Sequence, residues 1–165
     1  MDNSVFTQAT LKTLLIPELQ TFGIECHKVK KVLARKARVG EQIDTITSDG
    51  IETSNTAKAG DFVIKNQTEA GEMYIVNATS FDNRYELIEA AENNFSLYKA
   101  KGKVFALELT SDFLKKMNLS EEFFFLAPWG ERMIAKKSDF LVCPPDYSQI
   151  YRIARKEFFE TYKIK

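Results

Sequence analysis

Asp61 and Asp139 each follow a lysine by three residues and precede a phenylalanine, in "AKAGDF" (57–62) and "AKKSDF" (135–140). Two carboxylates held face to face can do acid–base work, because like charges at short range push one of the two pKa values up. A hydrolase or nuclease could use such a pair. Lys58 and Lys136 flank the same turns, and two matched ammonium groups beside backbone amides could hold an anion such as a nucleotide phosphate. Turn chemistry gives the plainer reading. An Asp before a strand ordinarily accepts from the amides of its own turn, and a turn lysine ordinarily stands in solvent.

The other candidates are thinner. Trp129 sits beside Gly130 after Phe123, Phe124 and Phe125, where it could line an apolar pocket or a partner surface; core packing is the usual fate of such rings. Cys26, His27 and Cys143 could supply a nucleophile and base or part of a metal site. Adjacent residues of a strand point to opposite faces, however, and a structural zinc needs a fourth ligand. "KVKKVLARKAR" (28–38) carries six basic residues and no acid, a run that could touch phosphates or simply face water. The chain holds no glycine-rich phosphate loop, dinucleotide fingerprint, nucleophile elbow or paired-histidine zinc motif. No cofactor, metal or catalytic residue is therefore assigned.

These residues must be positioned by elements that the patterning suggests. "TQATLKTLLIPELQTFG" (7–23) reads as an opening helix with Leu11, Leu14, Leu15 and Leu19 as its apolar stripe. Thr7 or Thr10 caps it, Gly23 suits its end, and Pro17 should kink or split it. Residues 24–47 read as strands around the turn "RVGE", and "SDG" (48–50) is a turn. "DFVIKN", "QTEAGE" and "MYIVNA" form strand, turn and strand. A helix capped by Thr79 or Ser80 follows, with Phe81 and Tyr85 on one face. "ELIEAAENNFSLYK" extends it, placing Leu87, Ala91, Phe95 and Tyr98 on one side. "KVFALEL" is a strand, "TSDFLKKMN" a short helix and "EFFFLAP" another strand.

The two Asp stretches belong to a longer repetition. At an offset of 78, Ala57, Lys58, Asp61 and Phe62 fall on Ala135, Lys136, Asp139 and Phe140, and Gly60 falls on Ser138. After a one-residue change in the turn, Tyr74, Val76, Phe81 and Tyr85 fall on Tyr151, Ile153, Phe158 and Tyr162. The expected fold class is thus α+β: two related β-hairpin-plus-helix units from internal duplication, packed around a shared aromatic core, with an N-terminal helix. One such unit buries too little to stand alone. We expect a single compact domain over 1–165, with pseudo-repeat units at about 32–88 and 103–165, a helical segment at 7–23 and Phe158 and Tyr162 buried.

Residues 32–88 also resemble a family of small bacterial and phage proteins named for a Pro-Gly-Asp-Tyr-Gly motif. The matching pieces are "AGDFV" (59–63), "GEMY" (71–74) and "FDNRYE" (81–86); a fainter copy lies at 129–164. Ala59, Phe62 and Val63 stand where the motif has proline, tyrosine and the last glycine. The resemblance implies the fold unit and a bacterial or phage setting. It brings no activity and no catalytic residue.

Composition narrows the function classes. Lys plus Arg is 23 and Asp plus Glu is 23, so bulk charge draws the chain to neither nucleic acid nor anionic membrane. No apolar run is long enough to span a bilayer. "MDNSVF" lacks the basic and apolar regions of a secretory signal, and two unpaired cysteines suit a reducing cytoplasm. A near-neutral chain associates with itself readily, so a homo-oligomer is an expectation. The leading expectation is a non-enzymatic module binding a small anionic ligand through Lys58, Asp61, Lys136, Asp139 and Trp129. A protein-interaction or assembly subunit and a hydrolase or nuclease on the aspartates are the alternatives.

Overall fold

The computed structural model describes residues 5–91, 95–128 and 130–165. The first half of the chain forms β1 (Val5–Phe6), α1 (Gln8–Phe22), β2 (Ile24–Lys28), β3 (Val32–Lys36), β4 (Gln42–Thr47), β5 (Gly50–Thr56), β6 (Phe62–Asn66), β7 (Met73–Val76), α2 (Ala78–Arg84) and β8 (Tyr85–Glu89). The second half forms β9 (Ser96–Ala100), β10 (Val104–Glu108), α3 (Ser111–Lys116), β11 (Glu122–Leu126), β12 (Arg132–Lys136), β13 (Phe140–Cys143), β14 (Tyr151–Ile153), α4 (Arg155–Thr161) and β15 (Tyr162–Ile164). The fold is a mixed α+β architecture. Contacts divide it into two compact units, one of Met1–Cys26, Lys103–Phe158 and Ile164–Lys165, the other of His27–Gly102 and Phe159–Lys163.

The second unit is built on a five-stranded sheet in the order β7-β6-β3-β9-β8, antiparallel throughout. Its centre reads as apolar on both faces. Val63 and Ile64, neighbours on β6 and so facing opposite ways, are both fully buried. One face carries Val32, Ala34, Ile64 and Val76 under Phe81 and Tyr85. The other carries Val63 and Ile75 under Ile43 and Ala57, from β4 and the end of the β4–β5 hairpin. Phe81 lies flat on Phe62, with ring centroids 4.0 Å apart and planes 6° apart.

The first unit centres on a sheet in the order β14-β13-β10-β2-β15. β13 is buried at all four residues. Leu141 and Cys143 join a core with Leu11, Leu15 and Leu19 of α1, Phe123 and Phe125 of β11 and Met133 of β12. A separate three-stranded sheet, β1-β11-β12, begins with the parallel pair β1 and β11. Phe158 of α4 lies flat on Phe140, centroids 3.9 Å apart and planes 11° apart. Each of these core clusters lies within one unit.

Three expectations need correction. Residues 86–89 and 96–98 are strand where helix was expected: they belong to β8 and β9, and Leu87 pairs with Tyr98 across the ladder instead of following it around a turn. The Glu- and Ala-rich composition favours helix, but β9 supplies the neighbour that β3 needs on its second edge, and that pairing outweighs propensity. The predicted face members Ala91, Phe95 and Tyr98 therefore share no helix, and residues 92–94 lie outside the described residues. α2 is capped by Asn77, whose side chain accepts from Ser80 N–H, in place of Thr79 or Ser80. Pro17 starts no second helix: α1 runs from Gln8 to Phe22 through it, with Leu11, Leu15 and Leu19 held in the core on either side.

Candidate functional site

The two Lys-to-Asp turns close on themselves. Lys58 N–H donates to Asp61 Oδ2 at 2.8 Å, and Asp61 N–H returns to Lys58 O at 3.1 Å. Lys136 N–H donates to Asp139 Oδ2 at 2.8 Å, and Asp139 N–H returns to Lys136 O at 3.0 Å. The residue before each Asp takes a left-handed conformation, φ +86° at Gly60 and +79° at Ser138. Each carboxylate is thus engaged by its own turn, in its own unit. Asp139 is further committed: Arg152 Nε donates to the same oxygen at 2.8 Å, and both side chains are buried. A buried pair of this kind holds structure, since removing either partner strands a charge out of water. Trp129 lies outside the described residues.

The remaining candidates resolve into structure. Cys26 and Cys143 are free thiols, buried on strands that flank β10. Burial, with a smaller contribution from Asp146, pushes Cys143 up to about 11. Burial, with Glu25 beside it, raises Cys26 as well. Both are poor nucleophiles as a result, and His27 is exposed. Two members of the basic run, Lys28 and Arg35, have side chains engaged by neighbouring groups. Arg35 forks onto Glu41, 2.9 and 2.5 Å through its two terminal nitrogens, and lies over the Phe95 ring. That fork, with the Arg38 amide, holds Glu41 down to about 2. Among the described residues no group of three or more His, Cys, Asp and Glu side chains is placed to hold a metal.

Lys28, the first member of the basic run, is where polar groups converge. Its Nζ donates to Asn66 Oδ1 at 3.1 Å, to Tyr74 OH at 3.0 Å and to Tyr85 OH at 3.1 Å. The two phenol oxygens are themselves 3.0 Å apart. Four elements present these groups: Lys28 ends β2, Asn66 ends β6, Tyr74 sits on β7 and Tyr85 opens β8 directly after α2. The turn after Lys28 is pinned because Val29 and Lys30 N–H both donate to Thr161 O. Behind Tyr85, Phe81 stacks at 5.4 Å and carries the array back to Phe62.

The electrostatics of the cluster are one-sided. Lys28 has no carboxylate partner among the described residues; its three acceptors are neutral oxygens. Its charge also lies within 5.6 Å of the Tyr74 ring centroid and 5.4 Å of the Tyr85 centroid. Burial alone would raise Tyr85. The Lys28 charge, the hydrogen bonds from Tyr74 and Lys28 and the Arg84 charge together outweigh it, so the phenol sits below its ordinary value. Perturbed groups of this sort concentrate at functional sites.

Sequence reasoning missed this cluster while holding two of its parts. Tyr74 and Tyr85 recur as Tyr151 and Tyr162, and a phenylalanine would have filled the same apolar space. The retained hydroxyls were the available signal. Nothing local ties Lys28 to them across 46 and 57 residues. No protein-family model, curated protein or solved structure matches the chain.

Proposed function

We propose that the chain is a binding module for a small anionic ligand, with the negative group taken at Lys28. The observation that carries this reading is a part-buried ammonium whose partners are all uncharged. Withdrawing an ammonium from water is costly, and neutral dipoles repay less of that cost than an anion does. A carboxylate or phosphate entering beside Lys28 would displace Asn66 Oδ1 and accept from the phenol hydroxyls, making charge-assisted bonds. Arg84 adds to the positive field. The acid–base reading of Asp61 and Asp139 is not carried forward, because each carboxylate already serves its own turn.

We further infer that the two units descend from an internal duplication. In support, the sheet orders match element for element: β7, β6, β3, β9 and β8 correspond to β14, β13, β10, β2 and β15. Registers agree as well. Ala34 pairs with Ile64 and Ser96, as Ala106 pairs with Val142 and Ile24. The hydrogen bond Ala37 N–H to Asp61 O has its counterpart in Leu109 N–H to Asp139 O. The copies have then diverged, since Pro144 and Ala100 stand where the second unit's Asn66 and the strand bearing Lys28 would require polar groups. The resemblance of residues 32–88 to the Pro-Gly-Asp-Tyr-Gly family would make Asp61 the turn-closing acid of that motif.

Calorimetric titration with inorganic phosphate, then with a panel of nucleotides and sugar phosphates, tests the binding reading. Binding should weaken at least about tenfold in Lys28→Met and stay unchanged in K58A and K136A. Equal affinity in the parent and in Lys28→Met would sink it.

A further inference from the structure

The edge strands β8 and β15 occupy equivalent ends of the two sheets, and each leaves one side of its ladder without a partner strand among the described residues. Both carry exposed aliphatic residues. Leu87 is 51% exposed and Ile88 42% on β8; Ile164 is 52% exposed on β15. Their charges are opposite. β8 reads Tyr-Glu-Leu-Ile-Glu from Tyr85, and the chain from Tyr162 reads Tyr-Lys-Ile-Lys. Glu86, Glu89, Lys163 and Lys165 are all exposed. Glu89 and Lys163 have no ion-pair partner among the described residues. Glu86 pairs with exposed Lys99 at 3.6 Å, and exposed Lys165 pairs with half-buried Glu25 at 2.9 Å; surface pairs of this kind contribute little.

An open edge of this composition is a template for another strand. We propose that the β8 edge docks the β15 edge of a second copy of this chain. The charge pattern selects that occupant. With Ile88 set opposite Ile164 in an antiparallel pair, Glu89 meets Lys163. With Leu87 opposite Ile164, Glu86 meets Lys165. Pairing like with like is penalised: β15 on β15 about Ile164 sets Lys163 against Lys165, and β8 on β8 with Leu87 opposite Ile88 sets Glu86 against Glu89. Opposite charges across a strand pair stabilise it and like charges destabilise it. The register shift between Leu87 and Glu89 twists this edge, which limits how far the pairing extends. The contact is heterologous, so it propagates as a ring or a chain according to the rotation it imposes.

The test uses two charge-reversed variants of the full chain, E86K/E89K and K163E/K165E, followed by analytical ultracentrifugation up to about 1 mM protein, the range of the weakest specific contacts. The parent should associate, less so at high salt. Each variant alone should be monomeric, since its two edges then share one sign. An equimolar mixture should associate again, because basic edges meet acidic ones. A parent that stays monomeric overturns the proposal, as does a variant that associates like the parent or a mixture that stays monomeric. Should circular dichroism show a reversed variant unfolded, E86Q/E89Q and K163Q/K165Q replace it, and an unchanged dissociation constant in both overturns the proposal equally.

Discussion

Tyr85 shows how a single side chain acquires chemistry from its surroundings. Its hydroxyl lies within hydrogen-bond reach of an ammonium and a second phenol, so the ionised form gains two donors. With a folded pKa below the ordinary 10.0, the unfolded chain binds more protons across the interval between the two values. Stability therefore rises with pH through that interval and is lost as pH falls through the folded pKa. Ultraviolet titration of the chain's six tyrosines should show one ionising early. Tyr85→Phe should remove that component and Lys28→Met should move it upward; six ordinary titrations in the parent would contradict the geometry. Asp139 gives the contrasting case. Its Arg152 partner pairs with Leu141 on β14, whereas Val63 pairs with apolar Ile75 on β7, so the buried ion pair has no equivalent at that place in the second unit's ladder. The turn role of both aspartates was legible beforehand, because an Asp bonding an amide three residues back is a local event. The convergence on Lys28 was not, because it depends on strands distant in sequence.

At the scale of elements, α1 and its stop signal illustrate local rules acting directly. Thr7 caps the helix by accepting from Thr10 N–H, and Gly23 N–H closes it on Leu19 O. A Cβ placed on Gly23 would lie 2.2 Å from Leu19 O, which no side-chain adjustment relieves, since both groups are tied to backbone. Gly23→Ala should therefore cost about 1–3 kcal/mol in urea denaturation, and a loss within experimental error would show that the helix end can shift freely. Residues 86–98 show the opposite lesson. Leu87, Ala91, Phe95 and Tyr98 at helical spacing say nothing about the vacancy beside β3, and the ladder to Val32, Leu33 and Ala34 decides the matter.

Over the whole molecule, each unit carries its own pair of stacked rings. Phe62 with Phe81 and Phe140 with Phe158 differ by 0.1 Å in centroid distance, and Phe81 and Phe158 are both buried. Removing either ring leaves a comparable void under a helix. Phe81→Ala and Phe158→Ala should each destabilise their transition by about 3–5 kcal/mol, as measured by thermal or chemical denaturation. A large inequality between them would count against equivalent roles in the two units. Tyr162, expected to be buried, is only half-buried, whereas Tyr85 is buried.

The sequence by itself determined the turns, the cap of α1 and the paired aromatic positions, because these follow from backbone sterics and spacings of a few residues. Only the tertiary structure decided that β2 lies against β10 and β9 against β3, and that Lys28 meets Tyr74 and Tyr85. Strand partners are chosen by complementary burial over long separations, and a linear pattern carries no record of which edge another strand will fill.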